Sequence, residues 1–413
     1  PRLKKSSLNL TVCDIQESDP QALNFHFSHQ PNQRFQQQTC CYLTRTNSET
    51  LEIVRNNKSQ SPLFNGQISA VGARYCPSLE DKAYRYPERD SHHVFLEPET
   101  LDGESFYPNG ISSSLPANIQ EEFVKTISGL ENAEILVPGY AVEYDVVDTA
   151  FLNSSLEYED FPGLYFAGQV NGTSGYEEAS GQGFVAGVNA AQNCLEKQEI
   201  VIDRNESYIG VMIEDLISNR RDEPYRLFTA RSENRLYIRE DNSYIRMAPY
   251  RLSLGLNKNI DKFLRIQIEE FNWLNDLIKH YKIRPSDIDF YGLDKSYIQK
   301  SISEALKRKS LDPSNFLNKF LKKNGISLNT WSVKTVAISA LYEGYIKRSI
   351  DEFGKLQKMG KRKLDWKKIL ESKHISSECK MRIEAVRPQT FSQLFHIQGL
   401  RPATLSYVAN ELS

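Results

Sequence analysis

The stretch Gly163-Leu164-Tyr165-Phe166-Ala167-Gly168-Gln169-Val170-Asn171-Gly172-Thr173-Ser174-Gly175-Tyr176 decides how this chain is read. A short apolar run bounded by glycines predicts a buried strand. The small residues after it predict a turn, and an Ala-rich segment over Tyr176–Cys194 predicts a helix, with Gly181, Gly183 and Gly187 on its inner side. A strand, a glycine turn and a helix start together offer free backbone N–H groups and a positive helix end to an anionic or electron-rich ligand. Gly168, Gly172 and Gly175 permit close backbone approach, and the Gln169 amide can donate and accept. Tight packing of strand on helix explains the same glycines without any ligand.

Outward from this unit the chain changes character. The first 140 residues mix short apolar runs with turn signals such as Tyr107-Pro108-Asn109-Gly110 and Val137-Pro138-Gly139, which predicts strands and loops of an α/β or α+β domain. Beyond about residue 205 the pattern is helical. Leu264, Ile268, Phe271, Leu274, Ile278 and Tyr281 recur at three- and four-residue steps, and Arg284-Pro285 ends the run. Further helices are expected from about Ser332 to Phe353 and near Ser377–Ala385, Thr390–Ile397 and Ala403–Leu412. This divides the chain into 1–140, 141–204 and 205–413. Its length of 413 residues suits two or three domains.

Composition excludes more than it identifies. With 39% hydrophobic and 25% charged residues the chain is neither a disordered polyion nor a membrane bundle. No run approaches the roughly 18 apolar residues of a membrane span. Pro1-Arg2-Leu3-Lys4-Lys5 has charge but no apolar run after it, so it does not read as a signal peptide. Six cysteines in so long a chain suggest a reducing, cytoplasmic setting rather than a disulfide scaffold. The histidines and cysteines lack metal-ligand spacing, and no metal is expected.

Charge is balanced overall, at −2, and unbalanced locally. From Ser301 to Leu370 there are 16 Lys+Arg against 6 Asp+Glu, a net of +10, with Lys361, Arg362 and Lys363 in the densest part. Such a patch suits phosphate binding, or is simply a solvated face. Arg226, Arg231, Arg235 and Arg239 alternate with aromatics at four- and five-residue steps. On a helix several would share a face, as folded RNA requires, although Glu223, Glu233, Glu240 and Asp241 could equally be their partners. Cys76 stands between Arg74 and Lys82, cations that favour a thiolate, while packing is the commoner fate of a free cysteine. Gly181-Gln182-Gly183 with Gly187 is not a dinucleotide fingerprint, because the last glycine falls one residue late.

Several longer motifs settle these alternatives together. They are Arg74-Tyr75-Cys76-Pro77-Ser78-Leu79-Glu80-Asp81-Lys82, Phe95-Leu96-Glu97-Pro98-Glu99, Tyr107-Pro108-Asn109-Gly110-Ile111-Ser112 and Pro138-Gly139-Tyr140-Ala141-Val142-Glu143-Tyr144-Asp145. Leu164 to Ala179 and Glu223-Pro224-Tyr225-Arg226-Leu227-Phe228-Thr229 follow in that order. The chain resembles the MnmG (GidA) family of flavoprotein subunits that modify the wobble uridine of tRNA, and the resemblance runs from Pro1 to the end. It departs from the family at Ser232-Glu233-Asn234-Arg235-Leu236, which loses an aromatic, and at Leu341-Tyr342-Glu343-Gly344-Tyr345, which loses a cation.

The resemblance implies α/β plus all-α architecture: an inserted α/β domain for NAD and substrate (1–140), the last strand and helix of a Rossmann-type FAD domain (141–204), and a helical domain for tRNA and partner (205–413). The absent initiator Met and fingerprint read as an N-terminal truncation, so the fragment alone is expected to be colourless and inactive. The resemblance implies FAD, NADH and methylenetetrahydrofolate as cofactors, the GTPase MnmE as partner, a homodimer and no membrane. Gly168, Gln169, Gly172, Gly175, Tyr176 and Glu177 would contact FAD. Gly72, Arg74, Tyr75, Cys76, Pro77, Ser78, Glu80, Asp81, Lys82, Arg85 and Tyr86 would contact NAD, with Cys76 catalytic. Arg226, Arg231, Arg235, Arg239, Lys361, Arg362 and Lys363 would contact tRNA. Two other readings are a non-catalytic module binding tRNA and MnmE, and a relative of the folate- and FAD-dependent tRNA uridine methyltransferase, which lacks the long helical region.

Overall fold

The computed structural model describes residues 1–17, 39–68, 77–218, 223–256, 258–307, 311–360, 362–388, 390–395, 397, 400 and 402–411. They form two compact units, Pro1–Val146 with Arg221–Pro224, and Val147–Arg220 with Tyr225–Ser413.

The first unit is built on a sheet that, among the described residues, has six strands: β1 (Arg2–Lys4), β2 (Asp14–Gln16), β3 (Cys41–Arg45), β4 (His93–Pro98), β5 (Ser105–Asn109) and β6 (Ile135–Val137). Their order is β2-β3-β4-β5-β1-β6, and every pairing is antiparallel. Alternation fixes the inner face: Val94 and Leu96 of β4 and Phe106 of β5 are buried. Helices α1 (Ser48–Asn56), α2 (Leu79–Arg85) and α3 (Ala117–Lys125) contribute Leu51, Val54, Leu79, Phe123 and Val124 to the same core. These helices have nine, seven and nine residues. They are too short to leave a sustained 3.6-residue period, so the sequence shows only strands and loops there. Their caps are local: Asn47 forms a capping box with Thr50, and Ser78 accepts from the Asp81 N–H.

The second unit is mostly helical. It contains α4 (Tyr176–Cys194), α5 (Tyr208–Ser218), α6 (Ser243–Arg246), α7 (Ala248–Leu254), α8 (Lys258–His280), α9 (Pro285–Tyr291), α10 (Ile302–Leu306) and α11 (Pro313–Lys323). These are followed by α12 (Thr330–Gly360), α13 (Trp366–Glu371), α14 (Ser377–Val386), α15 (Phe391–Phe395) and α16 (Pro402–Glu411). Three apolar clusters hold it. Leu274, Ile278, Leu317, Phe320, Val336 and Ala337 join α8, α11 and α12. Leu156, Val185, Met212, Ile213 and Tyr225 pack around α4 and α5. Ile369, Cys379, Ile383, Leu394 and Val408 form the third, among α13 to α16.

Two expectations fail locally. Gly163 to Gly168 is not a strand of a sheet; its only bridge among the described residues is Tyr165 to Glu157, and Leu164 is exposed. An extended apolar run becomes a buried strand only when other strands flank it, and none of the described residues does so. Residues 225–240 are not an α-helix either, but turns with a 3₁₀ turn at Thr229–Arg231. Backbone bonds from Tyr225 and side-chain bonds at Ser232, Asn234 and Asn242 compete with the helical ladder there.

One glycine fixes how α5 enters the unit. A Cβ on Gly210 would lie 2.4 Å from the Asp203 carbonyl oxygen and 2.6 Å from that of Ile202, both backbone atoms that cannot step aside. We expect Gly210→Ala to cost about 2–3 kcal/mol, read as a lower urea midpoint at unchanged slope. An unaltered midpoint would show that α5 can shift away from the Asp203 carbonyl at little cost.

Candidate flavin-contact site

The glycine turn is a 3₁₀ turn, Gly168–Asn171, closed by Gly172. Gly168 and Gly172 have φ of +85° and +73°, where a side chain would be strained. The turn is tied to α4 by a residue that spacing alone dismissed. Gln182, fully buried, accepts from the Gly168 N–H at 3.0 Å and the Asn171 amide at 2.9 Å. Its own amide donates to Thr173 Oγ1 at 3.0 Å and to the Glu178 carbonyl at 3.2 Å. Asn171 donates on to the Phe166 carbonyl, and Thr173 to that of Gly168. The sequence signal was a lone Gln between two glycines on the packed face of a helix.

The other side of the turn is closed by Tyr225-Arg226-Leu227. Tyr225 N–H donates to the Gly172 carbonyl at 2.7 Å, and the Leu227 N–H to Glu178 Oε1 at 2.9 Å. Arg226 Nε lies 3.2 Å from the same oxygen. Gly175 leaves room beneath: a Cβ there would force the buried Glu178 carboxylate to move. Two motifs about fifty residues apart in sequence therefore form one structure, which the one-dimensional reading kept separate.

The remaining edge faces solvent. Gln169, Ser174, Glu177 and Tyr176, the last 93% exposed, line it. Gly175 is the N-cap of α4 and has no side chain to cap it, so the first-turn N–H groups have no side-chain cap. Glu177 and Glu178 already occupy this helix start, which disfavours a phosphate and suits a neutral ring with both donors and acceptors. The residues therefore fit the pyrimidine edge of an isoalloxazine. Gly183 and Gly187 do not pack inward as expected: an added Cβ would meet open space, and only Gly181 abuts Ile209 and Met212.

The other predicted residues are dispersed. Gly72, Arg74, Tyr75 and Cys76 lie outside the described residues. Pro77 precedes α2, Ser78 caps it, and Asp81 pairs with Arg85 at 3.5 Å. Lys82 Nζ donates to the Gly110 carbonyl, and Tyr86 is exposed. Glu80 is wholly buried. Its Oε1 accepts from the Ser114 N–H and from the hydroxyls of Ser61, Ser113 and Ser114.

Of the arginines, Arg231 lies over the Tyr225 ring and 3.7 Å from Asp215. Arg239 pairs with Asp241 and donates to Ser339. Arg226 faces Glu178, while Arg235 is exposed. Arg362 and Lys363 are exposed beside α13, and Lys361 lies outside the described residues.

The sequence also gave no sign of Arg204. Its guanidinium, 4% exposed, reaches Asp215 at 3.3 Å, Glu233 at 3.1 Å and Glu214 at 3.9 Å. Burial works against its charge, but the Glu233, Glu214 and Asp215 carboxylates more than compensate and hold its pKa above the ordinary arginine value. Asp215 also accepts from the Tyr225 hydroxyl, so this network anchors the segment that closes the glycine turn. Arg204→Ala would leave the buried Asp215 carboxylate to Arg231 and the Tyr225 hydroxyl, at a cost of about 3 kcal/mol. A thermal midpoint within a degree of wild type would contradict that assignment.

The family model of glucose inhibited division protein A matches residues 1–198. A Streptococcus sanguinis protein named tRNA uridine 5-carboxymethylaminomethyl modification enzyme MnmG is 36% identical over 417 residues, covering 98% of this chain and 65% of its own length. The Streptococcus thermophilus protein of the same name is 37% identical, with the same coverage. The structure of Aquifex aeolicus GidA superposes with a TM-score of 0.78 at 35% identity, over 98% of this chain and 65% of that one. The chain thus spans about two thirds of the length of the relatives it matches. It belongs to the GidA (MnmG) family.

Proposed function

We propose that this chain is part of an enzyme that builds a carboxymethylaminomethyl group on carbon 5 of the wobble uridine of tRNA, working in the cytoplasm as a homodimer with the GTPase MnmE. The observation that carries the reading is the uncapped start of α4 beside a glycine turn locked by Gln182, in a chain similar along 98% of its length to proteins named for that modification. In this proposal 141–204 belongs to the FAD domain, 1–140 carries the NAD and substrate residues, and 205–413 binds tRNA and partner. FAD, with NADH and methylenetetrahydrofolate, supplies the redox and one-carbon chemistry.

This chain's residues then have separable tasks. Gly168, Gly172 and Gly175 keep the backbone close to the ring. Gln169 and the N–H groups of Tyr176 and Glu177 hydrogen-bond to it, and Tyr176 shields it from water. Pro77, Ser78 and the neighbouring members of the NAD set bind the nicotinamide cofactor, and Cys76 supplies the catalytic thiol. Lys363, Arg362 and Lys361 neutralise tRNA phosphates, as does Arg235.

The test is nucleoside mass spectrometry of tRNA from cells lacking the gene, with and without the full gene product restored. The wobble substituent should vanish and return. A substituent unaffected by the deletion would overturn the reading, and a simple 5-methyl product elsewhere in the tRNA would favour the methyltransferase instead.

A further inference from the structure

Helix α12 runs 31 residues, and its first third is buried through Val333, Val336, Ala337 and Ala340. From Leu341 to Arg348 no side chain is fully buried, so the helix leaves the apolar cluster there. Gly344 stands in that emerging part. Glycine inside a helix costs about 1 kcal/mol relative to alanine. Two structural reasons for such a glycine are missing: it is not at positive φ, and a Cβ added to it would meet nothing within 4 Å. Space above its backbone is being kept open on the solvent side.

What surrounds that space is cationic and aromatic. Tyr345 is 58% exposed, and the Arg348 guanidinium lies 4.9 Å from its ring centroid. Arg348 Nε donates to the Gly344 carbonyl at 3.2 Å, which fixes the fork beside the glycine and leaves most of its five donors over. No carboxylate among the described residues pairs with Arg348. Glu343 is held by Lys307 at 2.7 Å and Lys279 at 3.8 Å, with Lys347 also close enough to favour its charged form. Three cations thus surround one acid.

We infer that the Gly344–Arg348 face of α12 is a docking surface for RNA: a phosphate or ribose approaches the bare backbone at Gly344, Arg348 and Lys347 neutralise phosphate charge, and an unpaired base stacks on Tyr345. Charge complementarity selects a polyanion over an apolar partner, and the exposed ring with its guanidinium suits unpaired bases over duplex. This rests on the tRNA reading above but uses none of the residues assigned there.

The test is fluorescence anisotropy of a fluorescein-labelled RNA stem–loop titrated with the full chain over a series of salt concentrations. Tyr345→Ala should weaken binding about tenfold. Arg348→Ala should weaken it and lower the slope of log affinity against log salt by about 0.7. Gly344→Leu is the discriminating variant. It improves helix propensity, so the thermal midpoint should hold or rise while affinity falls. Wild-type affinity and slope in all three variants would overturn this surface and leave the tRNA reading standing. Loss of wild-type self-association in the variants, with RNA binding intact, would equally overturn it in favour of a contact between copies. No binding by the wild-type chain at low salt would sink both.

Discussion

Gln182→Leu in the full gene product is expected to lose flavin and wobble-uridine modification together. The side chain makes four hydrogen bonds to nitrogen and oxygen groups, and a longer one to Met212 Sδ, in a buried site, and leucine is nearly its size but can make none. The Gly168 N–H, the Asn171 amide and the Thr173 hydroxyl would each lose a partner. A buried polar group left unpaired costs about 1–3 kcal/mol, and Thr173 and Asn171 can recover part of that through their bonds to the Gly168 and Phe166 carbonyls. A net loss of about 3 kcal/mol falls mainly on the turn. Absorbance of the purified protein would show flavin falling well below one per chain. Circular dichroism should remain near wild type, because the helices around Leu317 and Phe320 do not depend on this residue. A yellow, active Gln182→Leu protein would show that the turn is held some other way.

Cys76→Ser should give the opposite dissociation: modification abolished, flavin retained. Serine keeps the size and a hydroxyl but is a far weaker nucleophile at neutral pH. Addition of a thiolate to a pyrimidine activates the neighbouring carbon, a step serine does not perform without a base to activate it. The measurement is single-turnover modification of unmodified tRNA, followed by nucleoside analysis, with flavin absorbance taken on the same preparation. Activity within tenfold of wild type would reduce Cys76 to a packing residue. Loss of flavin alongside activity would instead mean that Cys76 shapes the cofactor site. The two substitutions therefore separate holding the cofactor from carrying out the chemistry.

How much of this was visible in one dimension depended on the length of the signal. Helix α8 was legible because Leu264, Leu274 and Ile278 repeat over about four turns, and α4 because its glycine start and alanine body are unmixed. The short helices α1 to α3 were not, since seven to nine residues give too few repeats. The apolar run to Phe166 was read correctly as apolar but wrongly as a sheet strand, because strand pairing is a property of neighbours. The same limit applies to the site. Gly168 and Gly172 announce a turn through their conformational freedom, whereas Gln182, Glu178 and Arg204 matter mainly through partners 9 to 49 residues away. Asp241, one of the acids the sequence offered as a partner, pairs with Arg239, whereas Asp215, which lies beside Arg231, was too distant in sequence to be read.

The most direct test of the glycine turn as a flavin wall is FAD titration of the full gene product, stripped of flavin, against its Gln169→Ala variant. Gln169 is exposed, so the substitution leaves packing untouched and the thermal midpoint should not move. Losing one hydrogen bond to the ring should raise the Kd about tenfold, the equivalent of about 1.4 kcal/mol. Equal affinities for wild type and variant, at equal stability, would contradict the placement of the ring against this turn.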